Sequence, residues 1–184
     1  MGHLAWKLGQ QYARGVAVLT LPLDDESFRR LLRGQLSDPL PTARVNVPGR
    51  PADLIDLGSP GLFAVSPLLE PHIRDLEGVR LRPLVVSGMT LVGYSVVTVI
   101  LQCGRVDYRS ARELRRFGQT IWLQGLVVED PDVSGDAAVP LNYEAILLTD
   151  EAASRIRAKR FSNLRLSRLS DVETTVSQDM LVAG

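Results

Sequence analysis

Two histidines, His3 and His72, and one cysteine, Cys103, are the only imidazole and thiol groups in this chain of 184 residues. A zinc site needs three or four such ligands converging, and no His/Cys pair stands at ligand spacing, so no metal is expected through imidazole or thiolate. Cys103 and His72 would make a nucleophile and its base if the fold brought them together. Cys103, however, ends the most apolar stretch of the chain, where a free cysteine ordinarily serves as a small core residue. Neither GxxxxGK[ST] nor GxGxxG occurs, so a P-loop or dinucleotide site lacks its signature, and the GxSxG elbow is missing as well. No cofactor and no catalytic set is expected.

Carboxylates fall into three local groups: Asp24-Asp25-Glu26, Asp53 with Asp56, and the stretch Glu129-Asp130-Pro131-Asp132-Val133-Ser134-Gly135-Asp136. Acids at helix starts and in loops are usually solvated. As a candidate surface, Glu129, Asp130, Asp132 and Asp136 form a negative patch able to meet a basic partner, and they are the nominated partner-binding residues. Arginines gather at Arg29-Arg30-Arg33, at Arg112-Arg115-Arg116, and with Lys159 at Arg155, Arg157 and Arg160. Lys plus Arg equals Asp plus Glu at 21 each, so no global field draws in nucleic acid or an anionic membrane. Two Trp, four Tyr and four Phe are too few to interleave with the arginines as base-stacking platforms. Neither nucleic acid nor membrane is an expected partner.

The elements that must position these groups follow from local patterns. Val16 to Leu19 reads as a short strand. Asp24-Asp25-Glu26 opens a helix, Phe28, Leu31 and Leu32 supply its buried face, and Gly34 stops it. Leu36 to Pro51, with Pro39, Pro41, Pro48 and Pro51, reads as irregular connection. Strands are expected at Leu62–Val65, Val79–Val86, Leu91–Leu101 and Ile121–Val128, with a hairpin connection at Ser87–Thr90 and a short helix over Ser110–Phe117. His3 falls in a start expected to fray.

Two stretches echo each other. Residues 62–84 read LFAVSPLLEPHIRDLEGVRLRPL and residues 145–169 read AILLTDEAASRIRAKRFSNLRLSRL. Phe63 matches Ile146 at an offset of 83 (146 minus 63), as do Ser66 and Thr149, and Arg74 and Arg157. After two inserted residues, Gly78 matches Asn163 and Leu81 matches Leu166 at an offset of 85 (163 minus 78). Each copy runs a strand into a hydroxyl able to cap a helix, ends that helix at a residue tolerant of the left-handed conformation, and continues as an alternating Arg/Leu strand. Pro71 sits inside the first helix, which is therefore short or begins near it.

The stretch from Gly58 to Ser110 carries a resemblance. Val65-Ser66, a helix, Val79-Arg80-Leu81-Arg82-Pro83-Leu84, Tyr94, Val96 to Leu101 and Val106-Asp107-Tyr108-Arg109-Ser110 follow one another in an order that resembles a family of predicted immunity proteins from bacterial polymorphic-toxin systems, of myxobacterial type. Ile146-Leu147-Leu148-Thr149-Asp150 through Leu164-Arg165-Leu166 looks like that family's closing strand–helix–strand. The matching parts cover somewhat under half the chain; Gly104-Arg105 stand where the family pattern is more acidic, and the first 55 residues match no pattern. The resemblance implies a non-catalytic cytosolic protein that binds a cognate toxin, with the matching residues as scaffold.

The expectation is one α+β domain over residues 1–184, with a mainly antiparallel central sheet, two similar strand–helix–strand units and an N-terminal helix at one edge. Within it, residues 1–56 form an N-terminal lobe, 57–170 a core and 171–184 a tail. A single cysteine and a start without an apolar signal segment favour a reduced cytoplasmic setting. The leading function is toxin neutralisation by protein–protein contact. A small-ligand domain or enzyme built on Cys103, His72 or a carboxylate cluster is the alternative, and a homo-oligomeric structural protein is a third.

Overall fold

Leu4, Trp6 and Leu8 alternate with Ala5, Lys7 and Gly9, the two-residue period of a half-buried strand. A computed structural model, which describes residues 1–11, 13–36 and 39–182, makes that segment strand β1 (Gly2–Gln10), with all three buried. It is the central strand of its sheet, not a frayed start. Ser37 and Asp38 of the proline-rich connection and the last two residues of the 171–184 tail lie outside the described residues.

Next come β2 (Val18–Thr20) and α1 (Asp25–Leu32). Asp24 Oδ1 caps α1 by accepting from Ser27 N at 2.7 Å, Phe28, Leu31 and Leu32 are its buried face, and Gly34 ends it at φ 64°. The connection beyond is not wholly irregular: β3 (Ala43–Val47) runs between its prolines and pairs with β2. Then follow β4 (Leu54–Asp56), β5 (Phe63–Val65), α2 (Glu70–Arg74), β6 (Val79–Pro83), β7 (Val86–Ser87), β8 (Ser95–Val99), β9 (Gln102–Cys103) and β10 (Val106–Asp107). Ser110–Phe117 is not a helix. It holds strand β11 (Arg112–Phe117), because a helix there would have only Ala111, Leu114 and Phe117 to bury, while hairpin pairing with β12 (Thr120–Gln124) satisfies its backbone. The remaining elements are β13 (Val127–Val128), β14 (Asp132–Val133), β15 (Ala137–Pro140), β16 (Leu147–Thr149), α3 (Asp150–Arg157), β17 (Leu164–Arg168), β18 (Glu173–Ser177) and α4 (Gln178–Val182).

The expected fold class is therefore corrected. Instead of one central antiparallel sheet with an N-terminal helix at its edge, the described residues form 18 strands in five sheets, with only short helices. Two ladders, β15 with β9 and β3 with β7, are parallel, so the sheets are mixed. Left-handed glycines explain much of the fragmentation. Gly125 (φ 83°) divides the expected 121–128 strand into β12 and β13, which join different sheets.

Two of the sheets share one plan. The first orders its strands β4-β5-β8-β6; the second contains β15-β16-β1-β17. Ladder by ladder the registers agree: Leu54↔Val65 beside Ala137↔Leu148, Val65↔Ser95 beside Leu148↔Trp6, and Pro83↔Ser95 beside Arg168↔Trp6. In each, a strand pair joined by a helix leaves a slot between its members, and a strand from elsewhere in the chain fills it. β8 arrives from downstream, whereas β1 arrives from the N-terminus.

The helices begin and end alike. Ser66 Oγ accepts from Leu69 N at 3.2 Å, and Thr149 Oγ1 accepts from Ala152 N at 3.3 Å. Gly78 (φ 95°) and Asn163 (φ 63°) close them in the left-handed region. Pro71 lies in the first turn of the short α2, where its missing N–H costs no bond.

Side chains from both units fill one large core running from Trp6 and Leu8 through Leu54, Val65 and Val99 to Leu148 and Ile156. A second core, with Cys103, Tyr108, Ile121, Leu123 and Val176, lies beneath the β11-β12-β18 sheet.

Candidate functional site

The two related sheets differ most in what covers them. β8 is buried at all five positions. On the face opposite α2, α1 and the chain after it close over the sheet: Arg82 Nη1 donates to Leu36 O at 2.7 Å, and Ile100 packs against Gly34. Among the described residues no such helix covers the corresponding face of the second sheet, which carries Lys7 and Gly9 of β1 with Arg165 and Ser167 of β17. That face floors a cleft of about 950 Å³, walled by the turn Asp56–Gly61, by Tyr143 and Glu144, and by Asp171–Thr174.

Local chemistry shapes this cleft. Lys7 Nζ donates to Tyr143 Oη at 2.7 Å and lies 5.0 Å from that ring's centre. Glu144 Oε1 stands 3.5 Å from Arg29 Nε, tying the wall to α1. Asp56 occupies the position equivalent to the buried Val139 of the other unit. Burial pushes its carboxyl pKa up, against the opposing bond from Gly58 N at 2.7 Å. With Asp171 and Glu173 on the rim, four carboxylates line the cleft against two cations, Lys7 and Arg165. The cleft lining is thus acidic on balance.

The residues singled out from sequence are scattered. Asp136 belongs to the fold: its Oδ2 accepts from Glu77 N at 3.1 Å and from Arg155 Nη1 at 3.2 Å. Asp132 lies in β14, and its Oδ1 meets His3 Nδ1 at 3.0 Å. Glu129 and Asp130 are exposed, and Asp130 turns the chain at φ 49°. This acidic stretch is thus half scaffold and half surface, and none of it lines the cleft.

Cys103 and His72 are not brought together. Cys103 is buried in the second core, where desolvation raises its pKa to about 11. His72 sits on α2 with its ring 5.1 Å from that of Phe161. Among the described residues, no group of three or more His, Cys, Asp or Glu is placed to hold a metal ion, and no helix is long and apolar enough to cross a membrane.

Nothing in the residue types of Lys7, Gly9 and Ser167 marks them in the sequence, since what sets them apart is the exposure of their face to the cleft. The alternation in MGHLAWKLGQ was the available signal. Comparison with protein-family models finds none that matches, and comparison with curated proteins finds no significant match.

Proposed function

We propose that this chain is a cytoplasmic immunity protein that binds a cognate bacterial toxin and neutralises it by direct contact, with the open face of the second sheet as its docking surface. The supporting observation is the uncovered face itself: of two sheets built to one plan, one is closed by α1 and the other is left as a polar cleft. A segment of the toxin takes the place that α1 holds on the first sheet, its basic residues meeting Asp171, Glu173 and Asp56. The resemblance of residues 58–110 and 146–166 to immunity proteins supports the identity of the partner. Glu129 and Asp130 supply a second, exposed negative contact.

The experiment is co-expression with the product of the adjacent toxin gene, followed by pull-down and a survival assay. The expected result is a stable complex and protection, with Ser167→Trp in the cleft weakening binding about tenfold or more, the size of an interface hot spot. Absence of both complex and protection would overturn the reading. Full affinity in the Ser167→Trp protein would move the docking surface elsewhere.

A further inference from the structure

The indole of Trp6 fills a place that is empty in the other unit. In the second unit Trp6 is 5% exposed and lies between α3 and β17, with the Arg157 guanidinium 3.5 Å and that of Arg168 4.5 Å from its ring centre and Nε1 donating to Asp150 Oδ1 at 2.7 Å. The ladder registers place Ser95 where Trp6 stands and Pro83 where Arg168 stands, and the offset of 83 places Arg74 of α2 where Arg157 of α3 stands. Leu164 and Leu166 correspond to Val79 and Leu81. In the first unit these residues, Arg74, Val79, Leu81, Pro83 and Ser95, line an open groove of about 530 Å³ between α2 and β6.

The exchange is coordinated. The second unit, with its large Trp6, has the small buried Ala153 on α3 at the position where the first has Glu70, and in the first unit Ser95 Oγ donates to Glu70 Oε2 at 2.8 Å. Glu70 also holds the exposed Arg74 guanidinium at the groove's edge, on the side from which Arg157 covers Trp6. A proline and two half-buried aliphatic side chains form the floor, and Tyr94 forms one end. A planar apolar ring inserted there is covered by a cation, which is attracted to the ring face.

We infer that the groove between α2 and β6 receives an aromatic side chain, tryptophan or tyrosine, presented by a partner protein, in the manner in which the second unit receives its own Trp6. This goes beyond the toxin reading and does not depend on it: it concerns a different sheet and a different face.

The test is an NMR titration of the full chain with a blocked pentapeptide, acetyl-Gly-Gly-Trp-Gly-Gly-amide, and with its leucine counterpart. The tryptophan peptide is expected to shift the resonances of Arg74, Tyr94 and Ser95 and to bind about three- to fivefold more tightly than the leucine peptide, the range of an exposed cation–π contact. The double variant Ser95→Trp/Glu70→Ala reproduces the Trp6/Ala153 arrangement and should fill the groove, abolishing the shifts. If that protein does not fold, Arg74→Ala decides, since it removes an exposed guanidinium and should erase the preference for tryptophan over leucine. Equal binding of the two peptides, no shifts at the groove, or tighter binding of free tryptophan than of the peptide would each overturn the inference.

Discussion

Asp53 reaches Ser162 across 109 residues of chain, its Oδ2 accepting from Ser162 N at 2.7 Å and from Ser162 Oγ at 2.8 Å. The other unit makes the reverse contact, Asp136 Oδ2 accepting from Glu77 N at 3.1 Å. The offset of 83 carries Asp53 to Asp136, and that of 85 carries Glu77 to Ser162. The backbone follows suit: Ser66 N donates to Asp53 O at 2.9 Å, and Thr149 N donates to Asp136 O at 3.0 Å. Each unit therefore clasps the helix end of the other, the reciprocity expected of a two-fold interface, here within one chain.

Asp53 gives a pH-dependent test. Burial opposes its ionisation, but bonds from Ser162 N, Ser66 Oγ and Ser162 Oγ outweigh it and hold the carboxyl below the ordinary value of 3.8. A carboxylate depressed in the folded state contributes stability that is fully present above the unfolded pKa and is lost as pH falls through the folded one. Asp53→Ala should lower the unfolding free energy at pH 7 by about 2 kcal/mol, as for hydrogen bonds to a charged group. Urea titrations at pH 7 and pH 3 check it; a deficit that does not shrink at pH 3 contradicts the assignment.

Asp56 should behave oppositely. Its pKa is raised by burial, so its ionisation weakens the fold; the stability is fully present below the ordinary aspartate value and has been lost once pH has risen through the folded pKa. Asp56→Asn keeps an acceptor for Gly58 N and should raise the thermal midpoint at pH 7, with the gain vanishing below the ordinary aspartate range. Calorimetry at both pH values measures this.

The helix ends separate two residues that look interchangeable. At Gly78 an added Cβ would lie 2.7 Å from Ala137 O, in addition to facing φ 95°. Asn163, at φ 63°, instead donates from Nδ2 to Leu54 O at 2.9 Å. Gly78→Ala should therefore cost more than about 3 kcal/mol, combining strain with a backbone clash, and Asn163→Gly only about 1 kcal/mol from the lost bond. Chemical denaturation ranks the two.

The N-terminal strand should be indispensable. β1 is paired along both edges and carries Leu4, Trp6 and Leu8 into the two cores. Trp6→Ala should cost about 3–5 kcal/mol, and removal of residues 1–10 should leave no cooperative unfolding transition by circular dichroism.

Cys103, with its thiol buried and its pKa raised to about 11, should resist alkylation at pH 8 in the folded protein and react readily in 6 M guanidinium, about the strength that unfolds most domains. Mass spectrometry after iodoacetamide treatment reads this directly; rapid labelling of the native protein would contradict it.

Local chemistry was legible from the residues alone. Asp24-Asp25-Glu26 with Phe28, Leu31, Leu32 and Gly34 specified α1 from its opening acids to its stop, because the helix dipole and helical periodicity act within a few residues. The hydroxyl-to-Gly/Asn grammar around Ser66 and Asn163 could be read for the same reason. The partition into five sheets could not, since the pairing of β1 with β16 and β17 joins residues more than a hundred positions apart and depends on which slot is vacant. Asp136 shows the limit most plainly. Among neighbouring acids it looked like solvated surface, and only the approach of the Glu77 amide and Arg155 turned it into a clasp. The open face over Lys7 and Ser167 is likewise a tertiary product: coverage depends on where α1 comes to rest, and no single residue encodes it.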